Sequence, residues 1–300
     1  MTDSALPLGG RTAGAPPTAR RNWAWLGLVP FLLFLVLFLL IPAVSVFNNA
    51  LRTEDGFSFS AMGEAITGQN FDAFWFSVRF SALAAFIGVL IGGLLAYAAA
   101  TATRPRWLRS LVTSFSGVAA NMGGLPLAFA FLTLAGRQGV LTKILKEGLG
   151  WDIYDTLGRD GLGSVPGLVF VYSYFNIPLM LLITLPAIDG LRPAWREACA
   201  NLGGTSVTFW RRVGLPVLAP SLLGGFLLLF ANSFSAYATA AALTQNSKIV
   251  SQRIGFFLGG DVSIGEDAVG YALAAWMIII TAICMGIYWV ARKRAERWQS

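Results

Sequence analysis

Two groups of polar residues stand out in an otherwise apolar chain. The first is the run Asn232-Ser233-Phe234-Ser235-Ala236-Tyr237-Ala238-Thr239, with Asn121, Tyr172, Tyr174 and Asn176 as similar residues earlier on. The second is the segment 189–216, which carries Glu197-Ala198-Cys199-Ala200-Asn201-Leu202-Gly203 and, nine residues later, Val213-Gly214-Leu215-Pro216. Neither group suits catalysis. The chain has no His, so it offers no H-E-x-x-H zinc site and no Ser-His pair. It also lacks the G-x-x-x-x-G-K-[ST] loop that cradles nucleotide phosphates. The chemistry left is hydrogen bonding to a solute or between helices in the first group, and docking in the second. No catalytic, metal-binding or cofactor-binding residues are expected.

The elements that position these groups are membrane spans. Of the 300 residues, 56% are hydrophobic and 12% charged, against about 25% charged in soluble domains. A bilayer-crossing helix needs about 20 mostly apolar residues. Six stretches qualify: about 24–47, 78–101, 111–135, 165–188, 217–243 and 270–291. The third and fifth are the most interrupted by Gly, Ser and Asn. None has Asp, Glu, Lys, Arg or His in its interior, whereas proton- and ion-coupled carriers generally need such groups at membrane depth. We therefore expect an all-α membrane protein of six spans over 23–300, preceded by a disordered tail over 1–22, which is rich in Gly, Pro, Ala and Thr.

The net charge of +7 reads as a topology signal and not as a nucleic-acid footprint, because the charges flank the spans. Of the 22 Lys and Arg, fourteen lie in the tail, the 102–110 loop, the 189–216 loop and the C-terminus. By the positive-inside rule these segments are cytoplasmic, as are both termini. The opposite loops hold most of the acids, among them Asp72, Asp152 and Asp160. The two cysteines, Cys199 and Cys284, are expected to be free thiols.

Segment 189–216 specifies a helix, a sharp turn and a second helix outside the bilayer. Pro193 suits a first helical turn. Trp195, Ala198, Cys199 and Leu202 then share one helical face, and Gly203-Gly204 ends the helix. Thr205 or Ser206 can cap the next helix. Gly214-Leu215-Pro216 is expected to stop it, with Pro220 opening the fifth span.

This loop resembles the "EAA…G…I-x-LP" signature of membrane subunits of type I ABC importers, with Cys199 in place of the second Ala and Val213 in place of Ile. The resemblance covers spans two to six and implies a methionine-importer-like permease fold. It implies that coupling helices at about 193–213 dock into a separate ATPase dimer through Glu197, Ala198, Gly203, Leu215 and Pro216. It further implies a second permease subunit, an extracytoplasmic solute-binding protein and a location in the bacterial inner membrane. ATP would be used by the partner, with no cofactor on this chain. The sequence around Asn121-Met122-Gly123-Gly124-Leu125-Pro126 and Ser233–Thr239 looks most like the polyamine, iron and phosphonate branch.

Asn121, Tyr172, Asn176, Asn232, Ser233, Ser235 and Tyr237 are candidates to line a substrate pathway by alternating access; interhelical hydrogen bonding is the other reading of the same residues. The alternative function is a stand-alone carrier or channel with an incidental amphipathic loop.

Overall fold

The computed structural model describes residues 27–53, 56–101, 106–158, 160–244, 248–259 and 267–296. The expected tail 1–22, the basic residues Arg104 and Arg159 and the acids Glu54, Asp55, Asp261 and Glu266 lie outside the described residues. The chain divides into two compact units, Met1–Ser45 and Val46–Ser300.

Helix α1 runs over Val29–Leu51 and is long and apolar enough to cross a membrane. It is π-helical over Val36–Leu40. A two-strand hairpin follows, β1 (Arg52–Thr53) paired antiparallel with β2 (Gly56–Phe57). Next come α2 (Ser60–Glu64), α3 (Gly68–Thr101), α4 (Arg106–Asn121), α5 (Leu125–Ala135), α6 (Val140–Leu149) and α7 (Ile153–Leu157). Helix α8 spans Val165–Asp189 and α9 spans Pro193–Asn201. A single continuous helix, α10, covers Ser206–Ser235. The chain ends with α11 (Ala238–Leu243), α12 (Val250–Leu258) and α13 (Asp267–Glu296). Among the described residues, six stretches are long and apolar enough to cross a bilayer: Val29–Leu51, Gly68–Thr101, Leu125–Leu149, Val165–Asp189, Ser206–Ser235 and Asp267–Val290.

Helices α3 and α8 form the central pair and run parallel. Phe80 sits edge-on to Tyr172, with ring centroids 5.3 Å apart. Further along, Gly88 meets Asn176 and Gly92 meets Met180. At 34 residues, α3 is about 51 Å long, well beyond the ~30 Å hydrocarbon core. The excess explains why it begins ten residues before the expected span at 78 and carries exposed Asp72 beyond the bilayer.

Two small residues allow this pair to close. A Cβ on Gly92 would stand 2.5 Å from the Ile177 carbonyl oxygen and 2.7 Å from Met180 Cβ. One on Gly88 would stand 2.6 Å from Leu229 Cδ2 on α10. Small residues drive association in membranes because lipid tails are as apolar as leucine, so only closer packing favours helix over lipid. Toward the 193–214 loop, Ala96 and Ala99 of α3 join Leu181, Leu185 and Ile188 of α8 and Leu218 of α10 in an apolar core. Toward the other end a second core gathers Phe80, Leu127, Phe131, Tyr172, Phe175 and Leu243. Helix α13 is tied down by Trp276, whose indole N–H donates to the Met62 carbonyl at 3.0 Å.

Two of the expected spans are interrupted. The stretch 111–135 is split between α4 and α5 at Met122–Gly124, where Gly124 has φ +78°, a conformation that costs a residue with a Cβ. Pro126 then occupies the first turn of α5. The stretch 217–243 is split at Ala236–Tyr237, where Ala236 turns extended at ψ 115°.

A third difference concerns the loop. Gly214-Leu215-Pro216 does not stop the second helix. The backbone widens into a π turn over Trp210–Gly214, in which the Leu215 N–H bonds the Trp210 carbonyl. The extra residue in this turn absorbs Pro216, which falls in the first α-turn beyond it, where a missing N–H is tolerated.

Gly92→Ala should lower the thermal midpoint of the purified chain, with a loss of roughly 1–3 kcal/mol expected for overpacking a tight contact. Gly117→Ala, where an added Cβ meets nothing within 4 Å, should leave it unchanged or raise it. Paired melting curves in detergent check the contrast.

Candidate functional site

The 193–214 loop is built from local rules. Pro193 opens α9. The Leu202 N–H bonds the Ala198 carbonyl, and Gly204 N–H bonds the Cys199 carbonyl at 2.9 Å. Gly203 makes the turn at φ +77°. Thr205 caps α10, accepting from the Thr208 N–H at 3.3 Å. Arg196 of α9 lies over the Phe209 ring of α10, 5.7 Å from its centroid.

This hairpin leaves apolar surface unsupported. Trp195, Ala198, Cys199 and Leu202 line a groove of about 460 Å³ together with Thr208 and Val213. Leu202 is 88% exposed and Val207 74% exposed. Glu197 and Ala198 are exposed on α9, and Glu197 makes no ion pair among the described residues. Leu215 and Pro216 are exposed on α10 just past the π turn. Cys199 is a half-buried free thiol at the groove, and Cys284 is also free.

The loop connects directly to the bundle. Trp210 sets its ring edge-on to Tyr97 of α3, with centroids 5.1 Å apart. A Cβ on Gly214 would fall 2.6 Å from that indole, so the glycine serves close packing here and not helix termination. At the same end, Arg109 of α4 pairs with Asp189 at the end of α8.

The polar residues of the spans separate into two sets. Tyr172, Asn176 and Ser233 are buried. The Asn176 amide donates to Ser233 Oγ at 3.0 Å, joining α8 to α10. Tyr172 Oη donates to the Ala236 carbonyl at 3.4 Å, at the break after α10. Asn121, Asn232, Ser235 and Tyr237 are exposed. Asn121 donates to the Gly117 carbonyl, and Ser235 to the Ala231 carbonyl. The buried set joins helices; the exposed set leaves hydrogen-bonding surface on the two interrupted spans.

Thr239 binds the interruptions together; in the sequence it only closes the polar run and is not among the pathway candidates. Its hydroxyl accepts from the Gly124 N–H at 2.9 Å and donates to the Gly124 carbonyl at 3.2 Å. The pairing joins residues 115 positions apart. The available signals were a Gly-Gly-Leu-Pro break in one span and a threonine after a polar run in another. The π turn at Trp210 had no signal.

The family model described as "Binding-protein-dependent transport system inner membrane component" matches residues 88–297. The chain is 29% identical to the inner membrane ABC transporter permease protein YdcU of Escherichia coli over 178 residues, covering 58% of this chain and 47% of that one. It is 21% identical to the sulfate transport system permease protein CysW of Synechocystis over 285 residues, covering 94% and 97%. The chain thus spans about half of the first relative and nearly all of the second. Among solved structures, a bacterial ABC transporter importing alginate matches with a TM-score of 0.67 at 18% identity, covering 91% of this chain and 95% of that one. The MetNI methionine transporter matches at 0.52 and 16%, covering 74% and 94%. These likenesses carry the fold, including the expected resemblance to the methionine importer. The profile match supplies the kinship: the chain belongs to the binding-protein-dependent transport system inner membrane components, the permease subunits of ABC importers.

Proposed function

We propose that this permease forms one half of a substrate pathway, pairs with a second permease, and is driven by an ATPase dimer docked on its 193–214 loop. The observation that carries this reading is the hairpin of α9 and α10. It holds an apolar groove and a Glu197 that makes no ion pair among the described residues, and it continues without a stop into a helix long and apolar enough to cross a membrane. A generic interfacial helix would need the apolar face but no such continuity. A push on the hairpin would move α10 as a rod, and the rod ends at the Ala236–Tyr237 interruption.

The exposed Asn121, Asn232, Ser235 and Tyr237 then supply the hydrogen-bonding surface of the pathway, while Tyr172, Asn176 and Ser233 hold the helices in register. The opposite end faces an extracytoplasmic solute-binding protein. One alginate importer structure holds a pentasaccharide-bound periplasmic protein, which supports a partner of that kind. Both termini are cytoplasmic in this reading, and nucleotide chemistry stays with the partner.

In proteoliposomes holding the chain with its ATPase and binding protein, Glu197→Ala combined with Gly203→Pro should cut both stimulated ATP hydrolysis and uptake by about tenfold or more. Proline's φ of about −65° is incompatible with that turn. Uptake that persists in the variant without any ATPase would favour the carrier or channel reading. In a Cys284→Ser background, a membrane-impermeant maleimide should label Cys199 in inside-out vesicles and not in intact spheroplasts; the reverse pattern would invert the topology. Asn232→Leu and Tyr237→Ala should lower uptake with the melting temperature held, whereas Asn176→Leu should lower stability by about 1–2 kcal/mol, because it leaves Ser233 buried without its partner.

A further inference from the structure

One cavity outside these sites holds an arginine that makes no ion pair among the described residues. It lies at the end of the bundle opposite the 193–214 loop. Gln69, Asp72, Ala73 and Phe76 from the first turns of α3 line it together with Lys248 and Arg253, and its volume is about 410 Å³. Lys248 is already partnered, with its Nζ 2.7 Å from Asp160 Oδ2. Arg253 is not. Among the described residues it makes no ion pair, and its Nε is buried with no hydrogen-bond partner. Its guanidinium carbon lies 5.9 Å from the centroid of the Phe257 ring in the same helix. Burial pulls its pKa downward, yet a guanidinium does not give up its proton in proteins. Among the described residues Arg253 therefore stands as a partly desolvated cation with no ion-pair partner, a cost that an anion would relieve.

We propose that Arg253, flanked by Lys248, forms a binding site for a small oxyanion, a carboxylate or a phosphate group, in the cavity between α3 and α12. The planar guanidinium can engage two oxygens of such a group at once, and Lys248 adds a point charge at the rim. Gln69 can donate from its amide. Asp72, on the same wall, accepts and cannot donate when ionised, so it favours a ligand that also carries a hydroxyl or ammonium group. Hydroxy acids, amino acids and phosphate monoesters combine both features. The volume suits them, since small-molecule sites run from roughly 300 to 1,000 Å³. The site stands on this chain alone and does not depend on the transport reading.

The test uses the purified full chain in detergent, with melting temperature followed against inorganic phosphate and citrate, and chloride at matched ionic strength as reference. Wild type should show a saturable rise. Arg253→Gln should abolish it, and Arg253→Lys, which keeps the charge but loses the fork, should weaken the apparent affinity by about tenfold. Neither variant removes a side-chain hydrogen bond seen among the described residues, so both should fold. Asp72→Asn, which removes the opposing charge, should tighten binding of inorganic phosphate. A second arm places the chain in nanodiscs of phosphatidylcholine with or without phosphatidylglycerol. Stabilisation by the anionic lipid that Arg253→Gln loses, with no further effect of free phosphate, would identify a lipid headgroup as the source of the oxyanion. No saturable response in either arm, or a response that Arg253→Gln retains, would overturn the proposal.

Discussion

Inside a bilayer no water is available to take up an orphaned peptide group, so every backbone N–H and C=O must find a partner within the protein. The two interrupted spans satisfy this constraint through each other. The Gly124 backbone, opened by the break between α4 and α5, is completed by a single hydroxyl on Thr239. The Ala236 carbonyl, freed where α10 ends, accepts from Tyr172. Gln252 serves the next piece, donating to the Ala240 and Thr244 carbonyls at 3.2 and 3.0 Å. The interruptions are therefore mutually dependent, each completed by side chains from another element.

The same division runs through the whole bundle. Polar side chains join helices in the half containing Tyr172, Asn176 and Thr239. In the half nearer the 193–214 loop, the α3–α8–α10 contacts are mainly small and apolar side chains, with Tyr97 of α3 against Trp210 of α10. Hydrogen bonds are directional and fix a geometry, whereas small apolar surfaces constrain spacing more than angle. One half is thus joined largely by hydrogen bonds, and the half next to the loop by close apolar packing, the Tyr97–Trp210 ring contact and the Arg109–Asp189 ion pair.

Much of this was legible in the sequence because the strongest signals were local or compositional. Long apolar runs, the capping Thr205 and the φ-positive Gly203 each act within a few residues of themselves. The long-range features were not legible. Nothing near Thr239 announces that it will bond a backbone 115 residues away, and nothing distinguishes buried Asn176 from exposed Asn232 until α8 and α10 are placed side by side. Local rules misled at Gly214-Leu215-Pro216. Read alone, glycine and proline end a helix; here the glycine makes room for the Trp210 indole, and a wider turn accommodates the proline. Arg253 gave no signal either, since its lack of an ion pair among the described residues depends on how α3 and α12 are placed.

The π turn at Trp210–Gly214 also acts as an angular spacer. It amounts to one residue inserted into an otherwise α-helical rod, and each residue of an α-helix advances by about 100°. The direction in which Ser206–Phe209 and the groove beside them point, relative to the lipid-crossing part of α10, is therefore fixed by a single residue. Closing the turn to α-helical form would leave the membrane half in place and swing the hairpin about a quarter of the way around the rod. A change of one in residue count, more than any change of side chain, is what would aim this subunit at a differently placed partner.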